Sequence, residues 1–354
     1  MKVDKKINIG LASLRIYLSF LVVTTHCYSP GATIRKYLII KNLICNWFHV
    51  PAFYIMSFYF SYKLFKSKDI TKIKIRFQRL LIPYFIWPII IWLLHNLISS
   101  LFVEIQTYTL NLLIFQLLLG NTFMIVLWFQ YDLIFITLLI VIIHFLFNEK
   151  SIHYILINLE MFGIYFSYSN YNYILISNKF RTIGRICEII PYCITGYIIA
   201  SLNFVNIISK NKNIFINIFI SILFLIFKYG IFLHIKGFLY QGFGLYFLSI
   251  SIFLIFSIIP SIGNKYIIKL INIISIHTAG IYYIHLSLYK YLYLFSFFKK
   301  KTLISSLIIS FISFFVSLFG KAIFKKTKTN KFISIKLMNN YIAILFIIII
   351  SGDQ

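Results

Sequence analysis

The chain has 354 residues, of which 60% are hydrophobic, and carries a formal net charge of +26. Soluble domains are about 45–50% apolar, whereas apolar runs of about 20 residues recur here from end to end, which excludes an ordinary soluble fold. The lysines fall in short segments between those runs, as is typical of membrane proteins, so we do not expect nucleic acid as a partner.

Continuous apolar runs predict an all-α integral membrane protein. Lipid cannot satisfy free backbone amides, so a span must be a helix or part of a closed barrel. The strands of a barrel would show alternating apolar and polar residues instead of continuous apolar runs. We predict a bundle of about ten transmembrane helices. They cover approximately residues 9–28, 44–62, 80–99, 123–147, 152–168, 186–202, 214–233, 238–259, 267–297 and 303–319.

Three segments between these helices carry further expectations. A strongly basic loop is predicted over residues 63–79, and Pro83 and Pro88 are expected to kink the helix that follows it. Segment 110–120 is apolar but too short to span, which suggests a re-entrant or interfacial piece. Cys27 and Cys45 either pair in an oxidising outer compartment or are ordinary buried thiols.

The lysine and arginine bias predicts that both termini are cytoplasmic and that the protein is a multi-pass protein of the plasma or inner membrane. The first helix is expected to stay uncleaved, because Arg15 interrupts its apolar core and no small-residue cleavage site follows. We divide the chain into a polytopic domain, 1–336, and a short apolar C-terminal segment, 337–354. That segment is either interfacial or part of an eleventh span.

Two polar residues stand out in the first helix. Arg15 and His26 are eleven residues apart, so they share one helix face and lie about 16 Å apart along the axis. Charged groups inside a span face the protein interior or a wet cavity and mark function. The alternative is that both side chains reach the headgroups on opposite sides of the bilayer.

The predicted topology sorts the remaining polar residues by side. Arginines lie at the inner side, and imidazoles and carboxylates at the outer side. The inner residues are Arg15, Arg76 and Arg79, and the outer ones are His26, His49, Asp132, Glu188 and His285. Ordinary positive-inside charge also explains the arginines of the third helix, and interfacial or core packing also explains His49 and His285. A purely structural explanation is weaker for the intramembrane carboxylates, since each costs a few kcal/mol unless it is paired or protonated.

Four stretches together resemble the membrane-bound acyltransferase 3 family. They are the Arg-x10-His pair Arg15 to His26, HVPAFYIMSFYF from His49 to Phe60, RFQRLLIPY from Arg76 to Tyr84, and AGIYYIHLSLY from Ala279 to Tyr289. The second stretch departs from the family pattern at Phe58, where glycine is usual. Family members are multispanning O-acyltransferases that often modify surface polysaccharides.

The resemblance implies that acyl-CoA, usually acetyl-CoA, is a cytoplasmic co-substrate, and that no cofactor is permanently bound. The acceptor would be a hydroxyl of a cell-surface or lipid-linked glycan. Arg15, Arg76 and Arg79 would bind the phosphates of the donor, since guanidinium forks match phosphate oxygens. We see no residues with metal-ligand spacing and predict no metal.

For the chemistry we favour His26, because imidazole is a suitable base near neutral pH. Glu188 or Asp132 would orient it; alternatively His26 carries the acyl group itself. We expect His285, His49 and Ser57 to bind substrate, although His285 could also organise the site. Two other interpretations stay open: a transporter or flippase for a lipid-linked sugar, and a structural subunit.

Overall fold

The computed structural model describes residues 8–27, 48–101, 109–119, 128–169, 181–211, 213, 215–217, 243–259, 264–292 and 303–327. These ranges are helical, and no strand occurs within them. The helices are α1 Ile9–Cys27, α2 His49–Ser67, α3 Ile70–Leu101, α4 Leu110–Leu119, α5 Trp128–Leu146, α6 Glu149–Ser169, α7 Arg181–Ser201, α8 Phe204–Lys210, α9 Phe243–Ile258, α10 Lys265–Leu292 and α11 Leu303–Thr327. The predictions for Cys45, for most of 214–233 and for 337–354 lie outside the described residues.

The all-α membrane architecture is confirmed. Within the described ranges, five segments are long and apolar enough to cross a bilayer: Ile9–His26, Ile70–Leu97, Trp128–Leu146, Thr182–Ser201 and Lys265–Leu286. Leu245–Ile258 and Ile304–Phe319 are shorter apolar helices. The total of about ten spans and the cytoplasmic position of both termini stay predictions.

The predicted basic loop 63–79 is wrong, because almost all of it is helical. Helix α2 continues to Ser67, and only Lys68 and Asp69 separate it from α3. Lys68 takes the left-handed conformation that ends helices, with φ 49°. Asp69 then caps α3 by accepting a hydrogen bond from the Lys72 backbone N–H at 3.2 Å. Hydrogen bonds from Lys72 hold the pKa of the exposed Asp69 carboxyl below its ordinary value.

Helix α3 runs unbroken through Pro83 and Pro88, although proline removes a backbone donor. Pro83 leaves the Arg79 carbonyl without its usual backbone donor. The side-chain amide of Gln130 on α5 donates to the next carbonyl, that of Leu80. Polar groups from neighbouring helices are one way in which transmembrane helices tolerate proline.

Helix α1 packs against α2, α9, α10 and α11, and among the described helices the most extensive contact joins α2 to α7. Glycine makes these close approaches possible. A Cβ on Gly196 of α7 would lie 2.2 Å from the Ile55 carbonyl oxygen, and one on Gly10 of α1 would overlap the Phe256 carbonyl. Small residues at helix crossings are expected in membranes, where packing rather than water exclusion drives association.

Candidate active site

Three arginines form one group, which we call the inner arginine group: Arg15 on α1 with Arg76 and Arg79 on α3. The charges of Arg15 and Arg79 both act on the Arg76 guanidinium. Arg15 is exposed in the described part of the chain. The structure thus brings together the residues predicted to bind the phosphates of the donor.

Arg76 is the most enclosed of the three. Its Nη2 donates to the Ser57 hydroxyl at 2.7 Å. Its buried Nε–H has no hydrogen-bond partner among the described residues. A buried charged donor without a partner is costly, so this N–H is available for an anionic ligand. Ser57, predicted to bind substrate with the outer histidines, lies instead beside the inner arginine group.

His26 of α1 and His285 of α10 lie side by side, and we call them the histidine pair. Their ring centroids are 5.4 Å apart. His285 has no exposed surface. His49, at the start of α2, is also buried, and its charge acts on His285. Three histidines predicted for the outer side therefore come together from three helices.

Aromatic side chains pack beside the histidine pair. The Tyr282 ring centroid lies 6.1 Å from that of His285 and 5.3 Å from that of Phe129, and Phe53 packs on Phe129 at 6.1 Å. Val22, one turn before His26, belongs to the same cluster, which Trp128 also joins. An apolar wall of this kind excludes water, and a dry site strengthens the polar interactions within it.

Asp132, predicted to orient His26, forms a buried ion pair with Arg185. Arg185 Nε donates to one carboxylate oxygen at 2.8 Å and Nη2 to the other at 3.0 Å. The Tyr54 hydroxyl lies 3.2 Å from the same carboxylate. The guanidinium carbon also lies 5.5 Å from the centre of the Trp128 ring, a cation–π distance. Asp132 is thus engaged by Arg185 and Tyr54, and Arg185 links it to Trp128.

Glu188, the other predicted orienting carboxylate, lies near this ion pair. It is 7% exposed, and the charges of both Arg185 and Asp132 act on it. Arg185 and Glu188 are three residues apart on α7, so they share one helix face. Both predicted carboxylates therefore cluster around one arginine.

Sequence reasoning missed Arg185, which falls between the predicted helices 152–168 and 186–202. Helix α7 begins earlier, at Arg181. The signal was present, since an arginine three residues before a glutamate on an apolar helix requires a partner. Gln130 was also missed: it is 1% exposed and donates to the Leu80 carbonyl.

A second buried polar cluster lies elsewhere, between α6, α7 and α9. The Tyr246 hydroxyl donates to the Glu160 carboxyl at 2.6 Å, and the Thr195 hydroxyl lies 2.6 Å from the same oxygen. This cluster gives Glu160, a carboxyl within an apolar run, two hydroxyl partners. Among the described residues, no three His, Cys, Asp or Glu side chains are grouped so as to hold a metal ion.

Comparison with known families gives one match. A family model described as an acyltransferase domain, of the acyltransferase 3 type, matches residues 8–325. That range contains the inner arginine group, the histidine pair and the Asp132–Arg185 ion pair. No curated protein sequence and no solved structure matches the chain significantly.

Proposed function

The chain belongs to the acyltransferase 3 family, and we propose that this membrane acyltransferase is an O-acyltransferase with acyl-CoA as its donor. The acyl group, an acetyl group in the simplest case, would pass from cytoplasmic acyl-CoA to a hydroxyl of a cell-surface or lipid-linked glycan. Acyl-CoA is a co-substrate in this proposal and not a resident cofactor. We place the protein in the plasma or inner membrane.

One observation supports the proposal most strongly: helix α1 joins an arginine group to a histidine pair. Arg15 is part of the inner arginine group, His26 is part of the histidine pair, and about 16 Å of helix separates them. Acyl-CoA has the matching shape, with a polyanionic nucleotide at one end and a thioester at the far end of a long arm. The nucleotide would bind the arginines while the thioester reaches the imidazoles.

The donor end of the site is suited to phosphate. The Arg76 Nε–H, which has no partner among the described residues, and the accessible Arg15 both offer charged donors. Charge-assisted hydrogen bonds from arginine to phosphate are among the stronger polar contacts in proteins. The Ser57 hydroxyl accepts a hydrogen bond from Arg76 Nη2. This bond fixes the orientation of the Arg76 guanidinium before the donor binds.

At the other end, His26 would act as the base. An imidazole nitrogen of His26 takes the proton of the acceptor hydroxyl as its oxygen attacks the thioester carbonyl carbon. The tetrahedral intermediate then breaks its C–S bond, and His26 returns the proton to the departing thiolate. The products are the acyl ester of the acceptor and free coenzyme A. In the covalent variant, His26 first carries the acyl group itself.

The two routes differ in one intermediate. A covalent route forms an acyl-imidazole on His26 when donor is present without acceptor, whereas the general-base route does not. Rapid acid quenching of the protein with radiolabelled acetyl-CoA, followed by peptide mapping, separates them. We favour the general-base route because it needs only the proton transfer that imidazole performs well near neutral pH.

The decisive experiment is a thiol-release assay on purified protein in lipid nanodiscs. Acetyl-CoA is supplied with and without cell-envelope glycan from the source cells, and free coenzyme A is measured with a thiol reagent. We expect release that depends on both the protein and the glycan. A flippase for a lipid-linked sugar would release no thiol while still binding the glycan lipid, and that result would overturn the proposal.

A further inference from the structure

We propose that His285 is the residue that positions His26, so that the base is oriented by a second imidazole rather than by a carboxylate. This inference rests on the proposed function, because it concerns the same proton transfer. It replaces the sequence-based expectation that Asp132 or Glu188 orients His26. Three features of His285 support this proposal: the side chain is buried, its Nδ1 bonds the backbone of its own helix, and its ring lies beside that of His26.

The tautomer of His285 is set by its own helix. Its Nδ1 lies 2.8 Å from the Tyr282 carbonyl oxygen and 3.1 Å from that of Ile281. Carbonyl oxygens only accept hydrogen bonds, so Nδ1 must carry the proton. In a neutral imidazole the other nitrogen, Nε2, is then a lone-pair acceptor.

That acceptor is buried and has no partner among the described residues. His285 is 0% exposed, and its Nε2 makes no hydrogen bond within the described part of the chain. A buried acceptor left unpaired is unfavourable, and such groups occur at functional sites where a partner arrives or turns during the reaction. The Nε2 of His285 is therefore free to accept a hydrogen bond from a donor that reaches it.

His26 is a donor whose ring lies beside that of His285. A ring-nitrogen hydrogen bond of about 3 Å places two imidazole centroids a little over 5 Å apart, and the observed separation is 5.4 Å with the rings tilted by 35°. A small rotation of the His26 ring brings its N–H onto His285 Nε2. The second nitrogen of His26 then has a free lone pair directed at the acceptor hydroxyl, which is what a general base requires.

The backbone holds the pair together. Helices α1 and α10 share one of the most extensive contacts in the molecule, and Val23 of α1 packs with Ile284 of α10 in one cluster. Asp132 is meanwhile engaged by Arg185 and Tyr54. His285 thus offers His26 the rigid acceptor that the ion-paired carboxylate does not.

Two nearly isosteric substitutions separate this role from a local structural one. In His285→Gln the side-chain amide reaches the position of Nε2 and keeps an acceptor near His26. In His285→Asn the amide reaches only the position of Nδ1, so it keeps the bond to the α10 backbone but offers nothing to His26. The matched control is His277→Ala. His277 is another histidine of the same helix, and its contact is with the Ser317 hydroxyl at 3.2 Å.

We measure thiol release from acetyl-CoA in nanodiscs with cell-envelope glycan, after confirming folding by gel filtration. His285→Asn and His285→Ala should lower kcat roughly ten- to hundredfold with KM for acetyl-CoA unchanged. His285→Gln should recover most of that loss, and His277→Ala should keep the wild-type kcat. If Gln is as impaired as Ala, if Asn is the active variant, or if KM for the glycan rises with kcat unchanged, the positioning role is wrong.

A readout independent of activity keeps this inference separate from the proposed function. Solid-state NMR of protein with ¹⁵N-labelled histidine, with His285 assigned from the His285→Gln spectrum, reports which ring nitrogen carries the proton. We expect a protonated Nδ1 and an Nε2 that accepts a hydrogen bond, and loss of that bond in His26→Ala. A protonated Nε2 would overturn the pairing even in an active enzyme. If wild-type protein releases no thiol but the NMR result holds, the proposed function fails and the pairing stands.

Discussion

Removing either member of the Asp132–Arg185 ion pair should destabilise the protein strongly. Asp132 has no exposed side-chain surface, Arg185 has 14%, and their closest contact is 2.8 Å. Asp132→Leu leaves the Arg185 guanidinium without its carboxylate in an apolar setting, and Arg185→Met leaves the carboxylate alone. Breaking a buried ion pair on one side costs about 3–5 kcal/mol, and a charge at the centre of a span costs about 2.5–3.5 kcal/mol. We expect about 3 kcal/mol for each single variant.

The double variant should lose far less unfolding free energy than the summed losses of the two single variants. Replacing both charges by apolar side chains of similar volume is often neutral, so Asp132→Leu with Arg185→Met should lie within about 1–2 kcal/mol of wild type. The interaction energy of this double-mutant cycle is then about 4–5 kcal/mol. Neutral hydrogen bonds between transmembrane helices average only about 0.6 kcal/mol, so the result distinguishes an ion pair from ordinary polar packing.

The assay is equilibrium unfolding in bicelles by steric trapping, which gives free energies without denaturant. A second cycle on Lys66 and Glu149 is the matched control. That pair also joins two helices, but its atoms are 3.7 Å apart and its side chains are 55% and 74% exposed. Exposed pairs contribute about 0–1 kcal/mol. If the Asp132–Arg185 interaction energy is no larger than that of the control pair, the buried ion pair does not stabilise the fold as we infer.

Three further outcomes are expected. Gly196→Ala should cost at least about 1–3 kcal/mol, because its Cβ would lie 2.2 Å from the Ile55 carbonyl oxygen; unchanged stability in the same unfolding assay would contradict the close α2–α7 contact. Arg76→Gln should raise KM for acetyl-CoA roughly ten- to hundredfold with little change in KM for the glycan, whereas the neighbouring exposed Lys74→Gln should not; equal effects would remove the phosphate role. Tyr246→Phe should destabilise by about 0.6–1.7 kcal/mol and leave kcat unchanged, since its partner Glu160 lies in the second polar cluster; a loss of kcat would place that cluster in the site.

The sequence predicted the helices well because apolar length and backbone satisfaction leave few choices in lipid. It failed at helix ends. Residues 63–79 are basic and therefore resembled a loop, but Lys and Arg are good helix formers, and only Lys68 and Asp69 interrupt the helix. Polarity marks where a chain leaves the hydrocarbon, and a helix can continue well past that point.

The candidate site was predictable where a pattern acts within one helix. The spacing of Arg15 and His26 needed only the helical period. Partners across helices were not predictable in this way. Arg185 is 53 positions from Asp132, and nothing local to either residue identifies the other. Ser57 likewise looked like part of a substrate motif, but packing places it on Arg76.

The central claim is that His26 performs the proton transfer of an acyl-CoA-dependent O-acylation. The most direct measurement compares thiol release from acetyl-CoA by wild type, His26→Gln and His144→Gln in nanodiscs with glycan. His144 is the matched control, because it is a buried histidine whose ring bonds the Tyr197 hydroxyl at 3.0 Å. We predict that His26→Gln lowers kcat by about 10²–10⁴-fold while His144→Gln stays near wild type. A folded His26→Gln protein with the wild-type rate would contradict the account.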